Sequence, residues 1–412
     1  IYCWNEEFKS RITAHYPDYQ EVDATHGKIG DVDVVWNITP NDDNAYQNNL
    51  DATLLNQADA PADDKIDLFL VEADYALKYV DTDYTVPVKD LGITDDDLSK
   101  QYQYTKDIVT DSKGVLKGLS WQGCPGVLFY NRDAAKEVLG TDDPDKVQES
   151  VKDWDTYNDT AKKMKDAGYK MTASANDTYR VYSNNVTSKW VDGNKINIDD
   201  NIMKWVDDSK AQVDAGETGT CDLWSDDWSK GFYPQGKVFC YFGPAWLVNF
   251  SMAADTEGSI GYNGGWGAAQ GPQGFFWGGT WICAAQGTDN ANLVKDIMLK
   301  MTTDDDIMKD IVVDDDDFVN NSTVMNGLAD GSIKVKDDKE YTSKILGGQN
   351  PLPMYCAGVE TLDLSNLSSY DQGCNEEFQN AMKNYFEGKA SKEDALDLFY
   401  KAVTEKYPEL TY

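Results

Sequence analysis

The stretch Gly236–Trp246, GKVFCYFGPAW, carries the clearest fold signal in the chain. Its central residues, 238–242, are apolar or β-prone and lie between Gly236 and Gly243-Pro244, which is typical of a short buried strand. The break after this strand places Trp246 at its carboxyl end. Ligands of open α/β sheets bind beyond the carboxyl ends of the strands, so Trp246 is a candidate ligand contact. An ordinary core position is the alternative for a lone Trp.

Strand ends near the amino terminus show the same arrangement. Strands are predicted at 1–4, 33–36 and 66–71, and helices between them, such as 45–55, predict an α/β layer architecture. The side chains at or just after these strand ends are Trp4, Asn5, Glu6, Trp36, Asn37, Glu72 and Asp74. Carboxylates, amides and flat amphipathic rings together suit a ligand with polar groups and apolar faces.

The second half of the chain continues the alternation of helices and strands. A helix is predicted at 154–168, because Asp153 is a suitable N-cap and Gly168 a suitable stop. A strand at 169–173 follows it. Further candidate contacts are Asp177, Tyr179 and Arg180 after that strand, Trp121 before a predicted lobe crossing, and Trp277 in the glycine-rich run 258–279.

Length and charge exclude several classes of function. At 412 residues the chain is long enough for two domains. A net charge of -35 argues against nucleic acids and anionic membranes as partners, because both require patches of Lys and Arg. No stretch reaches the roughly 20 apolar residues of a membrane span. No glycine-rich phosphate loop is present either, so no nucleotide cofactor is predicted.

The seven Cys and two His predict no metal centre. The Cys lie singly, without the Cys-x-x-Cys or Cys/His spacing of a zinc or thioredoxin-like site, and their odd number leaves at least one thiol unpaired in a monomer. Cys240 and Cys283 lie in apolar runs and are expected to be small buried hydrophobes. The acidic runs 95–97, 304–306 and 314–317 lack the residue order of a calcium loop, so we interpret them as solvated surface.

Five segments, taken in order, carry a resemblance that spans essentially the whole chain. They are IYCWNEEF (1–8), IDLFLVEADY (66–75), KGLSWQGCPGVLFYNRDAAKEVL (117–139), KDWDTYNDTAKKMKDAG (152–168), and FYPQGKVFCYFGPAW (232–246) followed by GGTWICA (278–284). Together they resemble the extracellular solute-binding proteins of ABC transporters, in the carbohydrate-binding family that includes maltose-binding protein.

This resemblance implies a type II periplasmic-binding-protein-like α/β fold with two discontinuous lobes, joined by hinge crossings, that close around a sugar. The lobes are expected at 1–120 plus 268–315 and at 121–267 plus 316–412, with a helical tail in the second. The positions that match the family's sugar contacts are Glu6, Asp74, Asp177, Tyr179 and, less closely, Trp246.

One position departs from the family's pattern. Near the first crossing, Gln122 or Cys124 stands where maltose-binding protein has a sugar-contacting carboxylate, which argues against maltose itself as the ligand. Gln122 is nevertheless a candidate contact, because an amide can also bind sugar hydroxyls. The expected ligand class is therefore an oligosaccharide of open identity.

The function that the resemblance implies is binding without catalysis. The protein would capture an oligosaccharide and deliver it to the permease subunits of an ABC importer, as a monomer without a cofactor. It would act outside the cell, anchored by an amino-terminal lipid, or in the periplasm. The chain opens on Ile1 rather than Met, as expected of a mature protein whose leader has been removed.

Two other functions are alternatives at the level of sequence. A glycoside hydrolase also uses aromatic side chains, together with a pair of carboxylates about 5–9.5 Å apart. A binding protein for a cationic ligand such as a polyamine would use an acidic cleft with aromatic walls.

Overall fold

The protein folds into two compact α/β units. The computed structural model describes all 412 residues, Ile1–Tyr412. The first unit comprises Ile1–Gly123 and Gly278–Asp337, and the second comprises Cys124–Trp277 and Asp338–Tyr412. Each unit is therefore discontinuous in sequence, and the chain passes between the units after residues 123, 277 and 337.

The strands are short, and most are buried. In chain order they are β1 (Tyr2–Cys3), β2 (Tyr19–Glu21), β3 (His26–Ile29), β4 (Val32–Val35), β5 (Asn37–Ile38), β6 (Leu68–Glu72), β7 (Leu119–Ser120), β8 (Pro125–Asn131), β9 (Val191–Asp192), β10 (Lys195–Ile196), β11 (Cys240–Gly243), β12 (Trp266–Ala269), β13 (Phe275–Phe276) and β14 (Thr280–Ala284).

The helices alternate with these strands and dominate the carboxyl-terminal part. They are α1 (Glu7–His15), α2 (Ala45–Leu55), α3 (Ala76–Val80), α4 (Gln103–Asp107), α5 (Arg132–Leu139), α6 (Pro144–Glu149), α7 (Trp154–Asp166), α8 (Tyr179–Ser183), α9 (Asp200–Asp214), α10 (Asp226–Ser229), α11 (Ala291–Thr303), α12 (Asp305–Asp315), α13 (Ser322–Asp330), α14 (Leu352–Val359), α15 (Asp371–Phe386) and α16 (Lys392–Lys406).

The first unit is built on a five-stranded sheet in the order β5-β1-β6-β14-β7. Strands β5, β1 and β6 are parallel, and β14 is antiparallel to both of its neighbours. Since the parallel strands end at one edge, this edge collects the residues that follow β1 and β6. Helix α2 packs against the sheet, where the Tyr46 hydroxyl donates to the carbonyl oxygen of Leu70 at 2.6 Å. A separate antiparallel sheet contains β2, β3 and β4.

The second unit is built around β8, whose seven residues are all buried. Strands β11 and β12 both pair antiparallel with β8, and β13 pairs with its first residues. The short buried strand predicted within Gly236–Trp246 is confirmed as β11. Helices α9, α15 and α16 surround a second apolar cluster that includes Trp205, Phe378 and Phe399.

The unit boundaries lie later in the chain than the predicted 120/121, 267/268 and 315/316. Residues 268–277 include β13, which pairs with β8 and so belongs with the second unit. Residues 316–337 belong with the first unit, where the Asn320 side-chain amide donates to the carbonyl oxygen of Ser120 in β7 at 3.0 Å. The predicted boundaries came from the family resemblance and from local glycine and proline breaks, neither of which records these long-range pairings.

The predicted helices agree well with the structure. Helix 45–55 is α2, and helix 154–168 is α7, which ends at Asp166. The side chain of Asp153 accepts from the backbone N–H of Thr156 at 2.8 Å, and Gly168 adopts a φ of 86°. The predicted cap and stop are both confirmed.

Two predicted strands differ from the structure. Segment 33–36 forms β4 one residue earlier, and Trp36 lies between β4, which belongs to the separate antiparallel sheet, and β5 of the five-stranded sheet. Segment 169–173 forms no regular strand. Its backbone pairs with residues 237–240 through a single parallel bridge between Lys170 and Val238, which is too short to form a ladder.

A buried charge network connects separate parts of the first unit. The Arg11 guanidinium lies 2.9 Å from Asp315 and 3.8 Å from both Glu7 and Asp317. The Gln122 amide donates to Glu7 at 2.8 Å and to Asp317 at 3.1 Å. Burial raises the pKa of Glu7 to about 7 and also raises the pKa of Asp317. The network joins helix α1 to the segments at 122 and 315–317.

We expect Glu7→Gln to change how the free energy of unfolding depends on pH. Because the pKa of Glu7 is higher in the folded state than its usual 4.5, its contribution to stability is complete below that pH and is lost as pH rises through about 7. Across this window the wild type should lose on the order of 2 kcal/mol relative to Glu7→Gln. Urea unfolding at several pH values measures the difference.

The neighbouring substitution Glu6→Gln is the matched control, because the Glu6 side chain is 63% exposed. Its unfolding free energy should follow the wild-type pH dependence. Parallel pH profiles for the wild type and Glu7→Gln would contradict the expectation.

Candidate functional site

Three tryptophans of the second unit form an accessible aromatic surface, here called the tryptophan platform: Trp224, Trp246 and Trp277. The ring centroids of Trp224 and Trp246 lie 6.2 Å apart with nearly parallel planes, and those of Trp246 and Trp277 lie 5.2 Å apart. Trp224 and Trp277 lie 5.7 Å apart. Trp224 is 55% exposed, and the other two are half-buried. Such a surface can stack against the apolar face of a ligand.

Two of the three platform residues lie at the carboxyl ends of strands that pair with the same neighbour, β8. Trp246 comes after β11 and its Gly243-Pro244 break, as predicted, and Trp277 comes directly after β13. The indole N–H of Trp246 donates to the carbonyl oxygen of Trp277 at 3.2 Å. Both β11 and β13 pair with β8, so the sheet brings together two residues that are 31 positions apart.

Trp224 belongs to the loop that precedes α10 and was missed by the sequence analysis. Its φ of 68° lies in the left-handed region, which is uncommon for a bulky residue and more frequent at functional sites. The following residue, Ser225, caps α10 by accepting from the N–H of Trp228 at 3.2 Å. The signal in the sequence was a Trp in the acidic polar stretch CDLWSDDW, where an apolar ring has no nearby core pattern.

A cation lies at one side of the platform. The Arg180 guanidinium is 5.8 Å from the ring centroid of Trp277, which is within cation–π distance. Arg180 belongs to α8 and is half-buried. The structure thus brings together three of the predicted residues, Arg180, Trp246 and Trp277, with the unpredicted Trp224.

Asp177 and Tyr179 lie beneath this surface. Asp177 accepts from the indole N–H of Trp228 at 2.8 Å and from the backbone N–H of Ser174 at 2.8 Å. Burial raises the pKa of Asp177 to about 7. The Tyr179 hydroxyl donates to Asn375 at 2.6 Å in the interior. Neither side chain has appreciable exposed surface, so their predicted ligand contacts stay predictions that this placement does not support.

The carboxyl edge of the first-unit sheet holds four other predicted residues. Trp4 follows β1 and is half-buried, with its ring edge-on to Tyr75 at 6.3 Å. The Asn5 side chain accepts from the backbone N–H of Glu7 at 3.0 Å. Glu6 is exposed, and Asp74 follows β6 in a 3₁₀ turn and is half-buried. This edge therefore offers one ring and several polar groups, as the strand ends predicted.

The remaining three predicted residues are internal to the first unit. The Trp36 indole donates to the Tyr19 hydroxyl at 2.9 Å, and Trp121 stacks on Phe8 with centroids 5.3 Å apart. Gln122 is 1% exposed and belongs to the buried charge network. Strand-end position alone did not distinguish a ring that faces solvent from one that completes a core. The predicted ligand contacts of these three residues stay untested predictions.

Other features of the surface contain none of the predicted residues. A groove of about 520 Å³ is lined by residues 188–197 of the second unit, and one of about 420 Å³ by residues 89–116 of the first. No three His, Cys, Asp or Glu side chains are grouped so that they could hold a metal ion. Cys240 and Cys283 are fully buried free thiols, as predicted. None of the helices has both the length and the apolar character required to cross a membrane.

The pattern of two discontinuous α/β units agrees with a comparison to known families. The family model of the bacterial extracellular solute-binding proteins matches residues 23–342. The chain belongs to this family. Comparison with curated protein sequences gives no significant match.

Solved structures share the fold of this solute-binding protein. An extracellular solute-binding protein of family 1 has a TM-score of 0.73 at 18% identity, over 90% of this chain and 92% of the other. The ABC transporter-associated binding protein of B. animalis subsp. lactis Bl-04, in complex with β-1,6-galactobiose, has a TM-score of 0.70 at 18% identity, over 100% and 98%. Maltose-bound MalE3 of T. maritima has a TM-score of 0.69 at 13% identity, over 98% and 99%. The predicted type II binding-protein fold is confirmed.

We expect Trp224→Ala and Trp228→Ala to differ strongly in stability. Trp224 is largely exposed, so its loss should lower the free energy of unfolding by about 1 kcal/mol or less. Trp228 is 1% exposed and packs on Phe232 and Tyr241, so its loss should cost about 3–5 kcal/mol. Urea unfolding of both variants at one pH provides the comparison, and equal losses would mean that Trp224 is a core residue.

Proposed function

We propose that this solute-binding protein captures an oligosaccharide on the tryptophan platform and releases it unchanged to an ABC importer. The observation that carries the proposal is the platform itself, in which Trp224, Trp246 and Trp277 are in mutual contact and none of them is fully buried. Monomeric proteins seldom expose a cluster of large apolar rings without a binding role.

The chemistry of the platform matches the surface of a sugar chain. Each pyranose ring has an apolar face of C–H groups and a rim of hydroxyls, and indole rings can cover the face while neighbouring polar groups bind the rim. Arg180, beside Trp277, is a donor for ring or hydroxyl oxygens. An affinity in the micromolar range requires about 8 kcal/mol, which a few stacked rings and hydrogen bonds can supply together.

The second part of the proposal concerns the carboxylates at the carboxyl edge of the first-unit sheet. Asp74 and Glu6 are accessible carboxylates at the ends of adjacent parallel strands, and carboxylates accept well from sugar hydroxyls. We propose that Asp74 is a sugar acceptor. The closure of two lobes around the ligand stays a prediction from the family resemblance.

The partners and the location belong to the same proposal. Membership in an extracellular family supports a site of action outside the cytoplasmic membrane or in the periplasm, with an amino-terminal lipid as the proposed anchor. The permease subunits of an importer are the proposed protein partners of a monomer. No catalytic residue is proposed, since the family is one of binding proteins.

Isothermal calorimetry with β-1,6-galactobiose and maltose tests the proposal, with galactose and glucose as single-sugar comparisons. The wild type should bind at least one oligosaccharide more tightly than its monosaccharide, because a longer chain covers more of the platform. Trp246→Ala should weaken that binding roughly tenfold, or about 1.4 kcal/mol.

Tyr412→Ala is the matched control, because Tyr412 is an exposed aromatic residue that stacks on Tyr400 in the same unit. It should leave the affinity unchanged. Equal affinities for wild type and Trp246→Ala would exclude the platform as the binding surface.

The same samples separate the alternative functions. Release of monosaccharides during long incubation would indicate a glycoside hydrolase. Tight binding of spermidine, with an affinity that falls steeply as salt is added, would indicate a receptor for cations. The oligosaccharide proposal requires neither turnover nor a strong dependence on salt.

A further inference from the structure

We propose that Asp177 is a positioning residue that holds Trp228 behind Trp224 and thereby sets the geometry of the tryptophan platform without contacting the ligand. The family resemblance implied a direct sugar contact, and the structure assigns the carboxylate a different role. The inference rests on the proposed function for its effect on binding, but its first test requires no ligand.

The geometry starts from one buried hydrogen bond. Asp177 is 5% exposed, and one of its oxygens accepts from the indole N–H of Trp228 at 2.8 Å. Trp228 stands edge-on to Trp224, with centroids 5.1 Å apart and planes at 64°. Trp224 is the most exposed ring of the platform, and Trp228 is the buried one of its three ring contacts, the others being Trp246 and Trp277. A ring rotated at Trp228 would change where Trp224 lies.

The second oxygen of Asp177 fixes the other end of the platform. It accepts from the backbone N–H of Ser174 at 2.8 Å and so closes the 3₁₀ turn Ala175–Thr178. Helix α8 follows this turn directly and carries Arg180, whose guanidinium faces Trp277. One carboxylate therefore orients both the tryptophan behind the exposed end and the helix that bears the cation.

The cost of this arrangement argues for a role beyond packing. A buried carboxylate without a cationic partner is expensive, since burial penalises its charged form. Burial raises the pKa of Asp177, and the groups that oppose this rise are the N–H donors of Trp228, Ser174 and Ala173. A neutral amide would fill the same space at lower cost, but it would present a donor to one of the two N–H groups.

Among the titratable groups around Asp177, only Asp177 itself has a pKa near neutral pH. The other titratable groups that face it are the thiols of Cys221 and Cys240 and the phenols of Tyr157 and Tyr241, and burial raises the pKa of each. These four groups stay neutral around pH 7, the pKa to which burial raises Asp177. Protonation removes one strong acceptor position, so the hydrogen bond to Trp228 should weaken as the pH falls below 7.

The ligand-free test is ¹⁹F NMR of the full chain labelled with 5-fluorotryptophan. The Trp224 signal is assigned by its absence in Trp224→Phe. Asp177→Asn should shift or broaden this signal, and in the Trp228→Phe background the same substitution should cause no further change. In the wild type the signal should move with a midpoint near pH 7, and this movement should vanish in Asp177→Asn.

Asp199→Asn is the matched control. Asp199 is also a buried carboxylate of the second unit that caps a helix, since it accepts from the N–H of Asn201 at 2.8 Å, and it has no contact with the platform. It should leave the Trp224 signal unchanged. An unchanged Trp224 signal in folded Asp177→Asn would overturn the inference. The inference would also be overturned if Asp177→Asn changed the Trp224 signal equally in the wild-type and Trp228→Phe backgrounds.

Calorimetry then measures the effect on binding. Asp177→Asn and Trp228→Phe should each weaken oligosaccharide affinity five- to tenfold, and the double variant should be no weaker than Asp177→Asn alone, because Trp228→Phe removes one of the hydrogen bonds that Asp177 accepts. Additive losses would overturn the route through Trp228.

If the wild type binds no oligosaccharide, the proposed function fails, and the NMR result still decides the positioning role. If Asp177→Asn does not fold, Trp228→Phe with its loss of pH dependence decides it.

Discussion

Backbone pairing between distant segments is the constraint on which both units depend. In the first unit β14 lies between β6 and β7, and in the second β8 pairs with β11, β12 and β13. Buried strands must satisfy their N–H and C=O groups, so the sheet of the first unit is complete only after the chain has left that unit and returned with β14, whereas the strands of the second sheet all lie within residues 124–277. Gly278 and Gly279, with φ of 69° and 98°, provide the turn between β13 and β14, which belong to different units. The crossing after residue 277 is thus a consequence of how the first sheet is completed.

The candidate site is a product of the same pairing. β11 and β13 end beside each other because both bond to β8, and their ends carry Trp246 and Trp277. The platform combines accessible rings with a buried polar layer at Asp177 and Trp228. A stacking surface needs rings that are both exposed and held in place. The rings themselves supply the apolar area, while the hydrogen bonds beneath them reduce the freedom that binding would otherwise have to remove.

The first unit supports its polar edge in a comparable way. Glu7 lies next to the accessible Glu6 and forms part of the buried charge network with Arg11, Asp317 and Gln122. Buried charges are tolerated when they are paired and hydrogen-bonded, and removal of one partner is costly. The start of α1, and with it the end of β1, is therefore held by interactions with segments more than 100 residues away in sequence.

The sequence by itself determined the fold class, the main helices and the strand signals, because apolar periodicity, caps and glycine stops act over a few residues. Helix α7 with its Asp153 cap and strand β11 with its Gly-Pro break are examples. It also determined that Trp246 and Asp74 follow strand ends. Only the tertiary structure decided which rings are accessible: Trp36, Trp121 and Tyr179 are buried, whereas Trp224, without a strand-end signal, is exposed. Exposure depends on what packs against a side chain, and in this chain the packing partners come from remote segments, which no local pattern can report.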